Sequence, residues 1–193
     1  MKERKPTPEE IRAAFGKKVP DIIAPSLHVL FCGINPSLYS AAVGHHFARP
    51  GNRFWKTLHA AGFTERLLTP FEDGDLLKFG YGLTNIVDRA TARADELDTE
   101  ELVRGQLQLE AKVQHYRPRF LAILGISAYR TAFNRPKAVV GKQNESLCSA
   151  IIWVLPNPSG LNAHYQLEEL KRVYQELLVA INEGFGESDR SIN

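Results

Sequence analysis

The chain has 193 residues, of which 44% are hydrophobic and 24% charged, with a formal net charge of +2. This length suits one domain with its own core, and the composition excludes a disordered, collagen-like or coiled-coil chain. No apolar run approaches the ~18 residues of a membrane-spanning helix. The charged N-terminus lacks the apolar core of a signal peptide, and two cysteines are too few for a disulfide scaffold. We expect a single cytoplasmic domain over residues 1–183, with a helical extension over 1–20 and a disordered tail over 184–193.

The predicted elements alternate between short apolar strands and amphipathic helices. In chain order they are a short helix capped by Thr7, a strand at Leu27–Cys32, a helix at Gly51–Ala61, a strand at Tyr81–Ile86, a helix at Thr99–Tyr116, a strand at Phe120–Leu124, a helix at Ser127–Phe133, a strand at Ile151–Leu155 and a helix at Leu167–Ile181. Apolar strands that alternate with helices are typical of a parallel sheet covered on both faces. The expected fold is α/β, with three α/β/α layers around a short central parallel sheet.

Charge is segregated along the chain. Residues 22–64 contain no Asp or Glu, residues 65–110 are rich in acids, and residues 111–144 again lack acids but contain seven Lys and Arg residues. Such blocks favour one basic face and a polyanionic partner. Charge blocks that simply lie on solvated helices explain the pattern equally well.

Several kinds of site are absent from the sequence. There is no phosphate-binding loop, no GxGxxG and no CxxC pair, which disfavours nucleotide and zinc sites. The adjacent residues His45 and His46 cannot point to the same side of a helix or strand, so we predict no metal site there. A metal-dependent nuclease would need a cluster of carboxylates, and none is evident.

Three polar segments remain as candidates because ligands of open α/β sheets bind at the carboxyl ends of the strands. Asn35 follows a buried strand and Gly33, and its amide can orient a water but is not a strong base; capping of the Asn-Pro turn is the alternative. Phe47 lies among basic residues before a helix, as suits stacking on a nucleobase. Leu161 is an isolated apolar residue after the polar turn 157–160, as in side chains that wedge into a base stack, although one exposed Leu needs no explanation.

Three longer segments carry a resemblance to a known family: residues 30–36 (LFCGINP), 47–55 (FARPGNRFW) and 153–161 (WVLPNPSGL). In this order they resemble the mismatch-specific uracil-DNA glycosylases, relatives of thymine-DNA glycosylase in the uracil-DNA glycosylase superfamily. The resemblance implies a monomeric enzyme of the bacterial cytoplasm and nucleoid that uses no metal or organic cofactor. It would flip uracil mispaired with guanine out of double-stranded DNA and hydrolyse its N-glycosidic bond, initiating base excision repair. G·T mismatches and related lesions are further candidate substrates.

The resemblance also implies roles for individual residues. Asn35 matches the residue that positions the water, and Asn157 opens the second catalytic motif. Gly33 and Ile34 match backbone contacts to the base, and Phe47 matches the aromatic residue that stacks on it.

The wedge segment departs from the family pattern. Leu161 matches the residue that fills the space left by the flipped base, and we group Ser159, Gly160 and His164 with it as contacts to DNA. Ala163 stands where an Arg is usual in the family. We therefore expect a weaker requirement for the opposite guanine, unless His164 compensates.

Asp88 is a candidate carboxylate near the sugar, where it would stabilise an oxocarbenium-like transition state. Pairing of Asp88 with Arg89 or Arg93 is the alternative. Asn85 stands where relatives often have Lys, and Ser37 where Gly is usual. A different class of function, a non-catalytic binder of mismatched or single-stranded DNA, would also need a basic face but would yield no abasic product.

Overall fold

A five-stranded sheet with helices on both faces forms the domain, which confirms the predicted α/β class and its three layers. The computed structural model describes residues 4–162 and 164–188. The strands are β1 (Val29–Gly33), β2 (Tyr81–Asn85), β3 (Phe120–Leu124), β4 (Gly141–Leu147) and β5 (Ala150–Leu155). The helices are α1 (Pro8–Arg12), α2 (Leu38–Val43), α3 (Phe54–Ala61), α4 (Thr99–Tyr116), α5 (Ile126–Ala132) and α6 (Leu167–Ser188), with 3₁₀ segments at Pro70–Phe79 and Ala94–Glu96.

The strand order is β2-β1-β3-β5-β4, and β4 is the one strand of this sheet that runs antiparallel to its neighbour. The four predicted strands are present and parallel. We did not predict β4, because its sequence GKQNESL lacks an apolar run. As an edge strand it buries little more than Gln143 and Leu147, and polar residues on an exposed edge discourage pairing with other chains.

Each central strand contributes to two separate cores. Val29 and Phe31 pack in the cluster that contains α3 and α6, whereas Leu30 and Cys32 pack in the cluster that contains α4 and α5. Successive side chains of a strand point to opposite faces. A sheet covered on both faces therefore needs consecutive apolar residues, which is why these strands were visible in the sequence.

Three helices, α3, α5 and α6, differ from the prediction at their ends. Helix α3 begins at Phe54 with Arg53 as its N-cap, after a turn in which the Asn52 N–H donates to the Arg49 carbonyl at 3.0 Å. Helix α5 lies one residue earlier than predicted at each end. Helix α4 has its predicted bounds, and its N-cap Asp98 accepts from the Glu101 N–H at 2.7 Å. Helix α6 continues to Ser188, into the first part of the predicted tail, while residues 189–193 lie outside the described residues. Helix α2 and both 3₁₀ segments were not predicted. Among the described residues, none of the helices is long and apolar enough to cross a membrane.

The connections on either side of β1 place a crevice at the carboxyl ends of the central strands. From β1 the chain passes to β2 on one side, and later returns to β3 on the other side. Such a reversal separates the loops that follow the two central strands, and it is where open α/β sheets bind their ligands.

Candidate active site

A cavity of about 590 Å³ lies at the carboxyl ends of β1, β3 and β5. It joins the three segments singled out in the sequence. The predicted site residues that line it are Gly33, Ile34, Asn35, Phe47, Asn157, Ser159 and Leu161. Gly160, His164 and Asp88 do not line it.

The hydrogen bonds of Asn35 determine which way its amide faces. Its Nδ2 donates to the Arg89 carbonyl at 2.9 Å and to the Thr91 hydroxyl at 2.7 Å. The Thr91 hydroxyl itself donates to the Arg93 carbonyl at 2.7 Å, so towards Asn35 it acts as an acceptor. Both partners therefore require the NH₂ group on their side. The Asn35 Oδ1 accepts no bond from the described residues and is left for the cavity, where it can accept a hydrogen bond from a water molecule.

A narrow slot lies between Phe47 and Asn85, above Gly33. A Cβ atom at Gly33 would lie 2.5 Å from Asn85 Oδ1 and 3.3 Å from Phe47 Cζ. Any side chain at position 33 would therefore fill the slot. Phe47 stacks on Phe54 with ring centroids 4.1 Å apart and has a φ of 53°, an unusual conformation for a bulky residue. Backbone strain of this kind is often found at functional sites.

Buried polar contacts hold the segment before Phe47. The His46 N–H donates to Asp73 Oδ2 at 3.2 Å, and its Nε2 lies 2.9 Å from the Pro20 carbonyl. Burial lowers the pKa of His46, so the ring is neutral at pH 7. Because a carbonyl only accepts, the ring proton is on Nε2. His46 thus anchors the loop that presents Phe47.

Asn85 is a residue of the cavity that we noted only as a departure from the family pattern. It is 5% exposed, lines the cavity, and its amide has no hydrogen-bond partner among the described residues. Its amide atoms are accessible from the cavity, where a ligand or water can bond them. The signal was present in the sequence, because Asn85 ends an apolar strand in the same way that Asn35 follows one.

Asn157 is positioned to donate rather than to accept. Its Oδ1 accepts from the Ser159 N–H at 3.0 Å, and its backbone carbonyl accepts from Asn162 Nδ2 at 2.9 Å. Its own NH₂ group has no partner among the described residues. Asn157 therefore presents a hydrogen-bond donor to the cavity and is a poor second acceptor for the same water.

Asp88 lies in an ion-pair cluster outside the cavity. Its carboxylate pairs with Lys18 at 3.0 Å and with Lys112 at 3.5 Å, and Lys112 also contacts Asp21 at 2.7 Å. The alternative partners that we considered are occupied elsewhere, since Arg89 pairs with Glu101 and Arg93 with Asp95. This placement favours a structural role, in which the cluster supports the segment that presents the Arg89 carbonyl to Asn35.

The wedge loop, residues 157–162, rises at the rim of the cavity. Leu161 is 69% exposed at its tip. A Cβ atom at Gly160 would lie 2.6 Å from the Gly51 carbonyl oxygen, so the close approach of the two segments requires glycine there. The His164 N–H donates to Asn162 Oδ1 at 3.1 Å, and its side chain lies outside the cavity. Ala163 lies outside the described residues.

Three of the seven basic residues in the acid-free segment 111–144 lie away from the cavity. Lys112 is held in the ion-pair cluster, and Arg117 and Arg119 precede β3, at the end of the sheet opposite to the cavity. Arg49 lines the cavity, is exposed, and has no acidic partner among the described residues. In the described part of the chain, no group of three or more His, Cys, Asp or Glu side chains is arranged to hold a metal ion.

Comparison with known proteins agrees with the fold and identifies the family. The solution structure of a protein described as "a putative Uracil DNA glycosylase" from Methanosarcina acetivorans matches with a TM-score of 0.55 and 20% identity, over 85% of this chain and 99% of that chain. This match supports the fold class. The family model of the Uracil DNA glycosylase superfamily matches residues 20–178, most of the chain. The chain therefore belongs to the uracil DNA glycosylase superfamily, whose membership indicates a hydrolase that acts on DNA.

Proposed function

We propose that this protein is a monofunctional glycosylase that removes uracil from G·U mismatches in duplex DNA. The observation that carries the proposal is the fixed orientation of Asn35, whose Oδ1 faces a cavity that also holds an unsatisfied amide, Asn85, and an aromatic face, Phe47. A base inside a duplex cannot reach such a cavity, so the nucleotide must first be flipped out of the stack. A G·U wobble lowers the cost of this step.

In the proposed bound state the base enters the slot beside Gly33. Phe47 stacks on the face of the pyrimidine, and the Asn85 amide pairs with its edge. An amide offers one acceptor and two donors, which match the N3–H and the O4 of uracil. Burial of Asn85 makes this contact selective, because a base that fails to pair with it leaves the amide unsatisfied.

Hydrolysis follows from the groups around the sugar. The bond between C1′ and N1 breaks with its electron pair leaving on the base, and a water oxygen forms the new bond to C1′. Asn35 Oδ1 orients this water by accepting a hydrogen bond from it; after attack one of the water's protons passes to solvent and the other stays on the new C1′ hydroxyl, while the base leaves as the N1 anion. Because an amide is a weak base, stabilisation of the leaving base carries much of the rate.

Two sets of donors are available for the departing base. The backbone N–H groups of Ile34 and Asn35 make no hydrogen bond to the described residues, although both residues line the cavity. The Asn157 NH₂ group is the other donor. We assign the first pair to the base and Asn157 to the base or the adjacent phosphate.

The most specific part of the proposal is the preference for uracil mispaired with guanine. It is supported by the resemblance of the three motifs to the mismatch-specific enzymes and by the exposed Leu161 at the cavity rim. Thymine opposite guanine is a second substrate candidate. Leu161 fills the gap that the flipped base leaves in the stack. Because Ala163 stands where relatives have an Arg near the opposite base, we expect the preference for guanine there to be weaker than in those relatives.

The test is single-turnover incubation with duplexes that contain G·U, A·U or G·T and with single-stranded uracil DNA. Release of free uracil, together with an alkali-labile site at the same position, is expected to be fastest for G·U. Tight binding of the G·U duplex without free base would instead identify a non-catalytic binder. Equal rates on G·U and A·U would contradict the mismatch preference but not the glycosylase activity.

A further inference from the structure

We propose that Arg53 is the positioning residue that holds the wedge loop in its projecting conformation. This inference rests on the proposed function. Arg53 is one of the basic residues that follow Phe47 in the sequence, and the proposal gives its side chain a role other than contact with DNA phosphates.

One guanidinium bonds three carbonyls of the chain around the wedge. Arg53 Nη2 donates to the Ser159 carbonyl at 2.6 Å and to the Asn162 carbonyl at 2.9 Å, and Nη1 donates to the Tyr165 carbonyl at 2.5 Å. The Arg53 backbone N–H adds a bond to the Pro158 carbonyl at 3.0 Å. Guanidinium offers several donors in a rigid plane, so a single side chain can fix the course of a loop.

Hydrogen bonds inside the wedge loop fold it but do not attach it to the domain. The Ser159 N–H bonds Asn157 Oδ1, the Asn162 N–H bonds the Ser159 carbonyl at 3.0 Å, and the Leu161 N–H bonds Ser159 Oγ at 3.3 Å. Attachment to the segment before α3 comes from Arg53 and from the contact between Gly160 and the Gly51 carbonyl. Leu161 depends on that attachment, because its exposed side chain has little packing of its own.

The charge of Arg53 is stabilised by the loop itself. No acidic side chain pairs with it among the described residues, and residues 146–167 contain no charged side chain. The side chain is half-buried, and its Nε is buried without a partner. A charge removed from water in this way needs strong hydrogen bonds. The carbonyls of the wedge segment provide them, which ties the position of the loop to the presence of an arginine.

Arg53 also links the wedge to the base slot. It is the N-cap residue of α3, and Phe54, the next residue, stacks on Phe47. The aromatic face that receives the base and the side chain that fills its former place are thus fixed by neighbouring residues. We expect this link to fix the distance between Leu161, which fills the gap in the base stack, and Phe47, on which the flipped base stacks.

The variant Arg53→Met tests the proposal by its substrate dependence. A displaced Leu161 should slow single-turnover cleavage of G·U duplex by about 10- to 100-fold. Cleavage of single-stranded uracil DNA should slow by less than about threefold, because a single strand needs no wedge and because the backbone bond from residue 53 to the Pro158 carbonyl, which the variant keeps, still holds the segment of Asn157. Lys56→Met is the matched control. It removes the same charge from the same helix, at an exposed position without a partner in the described part, and should leave both rates near those of the wild type.

A double-mutant cycle shows whether Arg53 acts through Leu161. Leu161→Ala alone should reproduce the selective loss of cleavage rate on duplex DNA. The double variant should cleave the duplex at a rate within about twofold of that of Leu161→Ala. Losses that multiply, or equal losses on duplex and single strand, would overturn the proposal.

Limited proteolysis by chymotrypsin provides a readout that does not depend on catalysis. Without its clamp the loop should be nicked after Leu161 or Tyr165 faster in Arg53→Met than in the wild type or Lys56→Met. Equal nicking rates in Arg53→Met and the wild type would overturn the role of Arg53, whether or not the wild type cleaves uracil. Absence of uracil cleavage by the wild type would overturn only the proposed function. If Arg53→Met does not fold, Arg53→Lys takes its place, since one ammonium cannot reproduce the fork and should give the same pattern to a smaller degree.

Discussion

Replacement of Thr91 by Val should weaken catalysis by releasing the amide of Asn35. The Thr91 side chain is 1% exposed, and its hydroxyl accepts from Asn35 Nδ2 and donates to the Arg93 carbonyl, both at 2.7 Å. Valine has the same shape but neither function. Each bond contributes about 1 kcal/mol net, and a buried group left unpaired costs about 1–3 kcal/mol. With only the Arg89 carbonyl remaining to orient it, the Asn35 amide should populate the flipped state, and cleavage should slow about tenfold, since 1.4 kcal/mol is a factor of ten.

The assay compares single-turnover cleavage of G·U duplex with the dissociation constant for the same DNA and with the free energy of unfolding. Thr57→Val is the matched control, because Thr57 is also fully buried but its hydroxyl has no partner among the described residues. That variant should be as stable as the wild type or slightly more stable, and should keep its rate. Cleavage by folded Thr91→Val at the wild-type rate would refute the argument that Thr91 orients Asn35.

Four further predictions concern other parts of the account. Gly33→Ala places a methyl group within 2.5 Å of Asn85 Oδ1 and should cost about 1–3 kcal/mol of stability and at least about tenfold in cleavage, so an unchanged rate would exclude a base slot there. The Arg89 guanidinium lowers the pKa of Glu101 to about 2, below an unfolded value of about 4.3. Glu101→Gln should therefore reduce the free energy of unfolding at pH 7, by a difference that shrinks as the pH falls from about 4.3 to about 2, whereas a constant difference would exclude this linkage. Cleavage should be unchanged in excess EDTA, and a loss restored by zinc or magnesium would overturn the metal-free mechanism. With Ala163 in place of the usual Arg, the wild type should retain measurable cleavage of A·U pairs, and strict confinement to G·U would show that another residue reads the guanine.

The elements that the sequence predicts well are those with a local physical cause. The strands around Phe31 and Ile123 need apolar residues on both faces, so their composition alone identifies them. Strand β4 carries no such requirement, because its outer edge faces solvent. It forms because a two-residue turn at Cys148 and Ser149, with Cys148 at a φ of 52°, folds the chain back so that β4 pairs antiparallel with β5. This turn has no Gly, Asn or Asp to mark it in the sequence, and β4 itself has no apolar run.

The candidate site divides in the same way. Asn35, Phe47 and Leu161 stand out by position and by family resemblance, and all three line one cavity. The orientation of the Asn35 amide could not be predicted, because it depends on Thr91 and on a carbonyl more than fifty residues away in the chain. From the sequence alone, Arg53 is a candidate for contact with DNA phosphates, because it is a basic residue close to Phe47. Only the structure shows that its Nη donors bond backbone carbonyls instead.

The most direct test of the account is to compare cleavage and binding by Asn35→Ala. Asn144→Ala, which removes an exposed amide on β4, is the control. If Asn35 Oδ1 orients the attacking water, Asn35→Ala should lose most single-turnover cleavage of G·U duplex while its dissociation constant for that duplex stays within about threefold of the wild type. Cleavage by Asn35→Ala at the rate of Asn144→Ala would contradict the central claim.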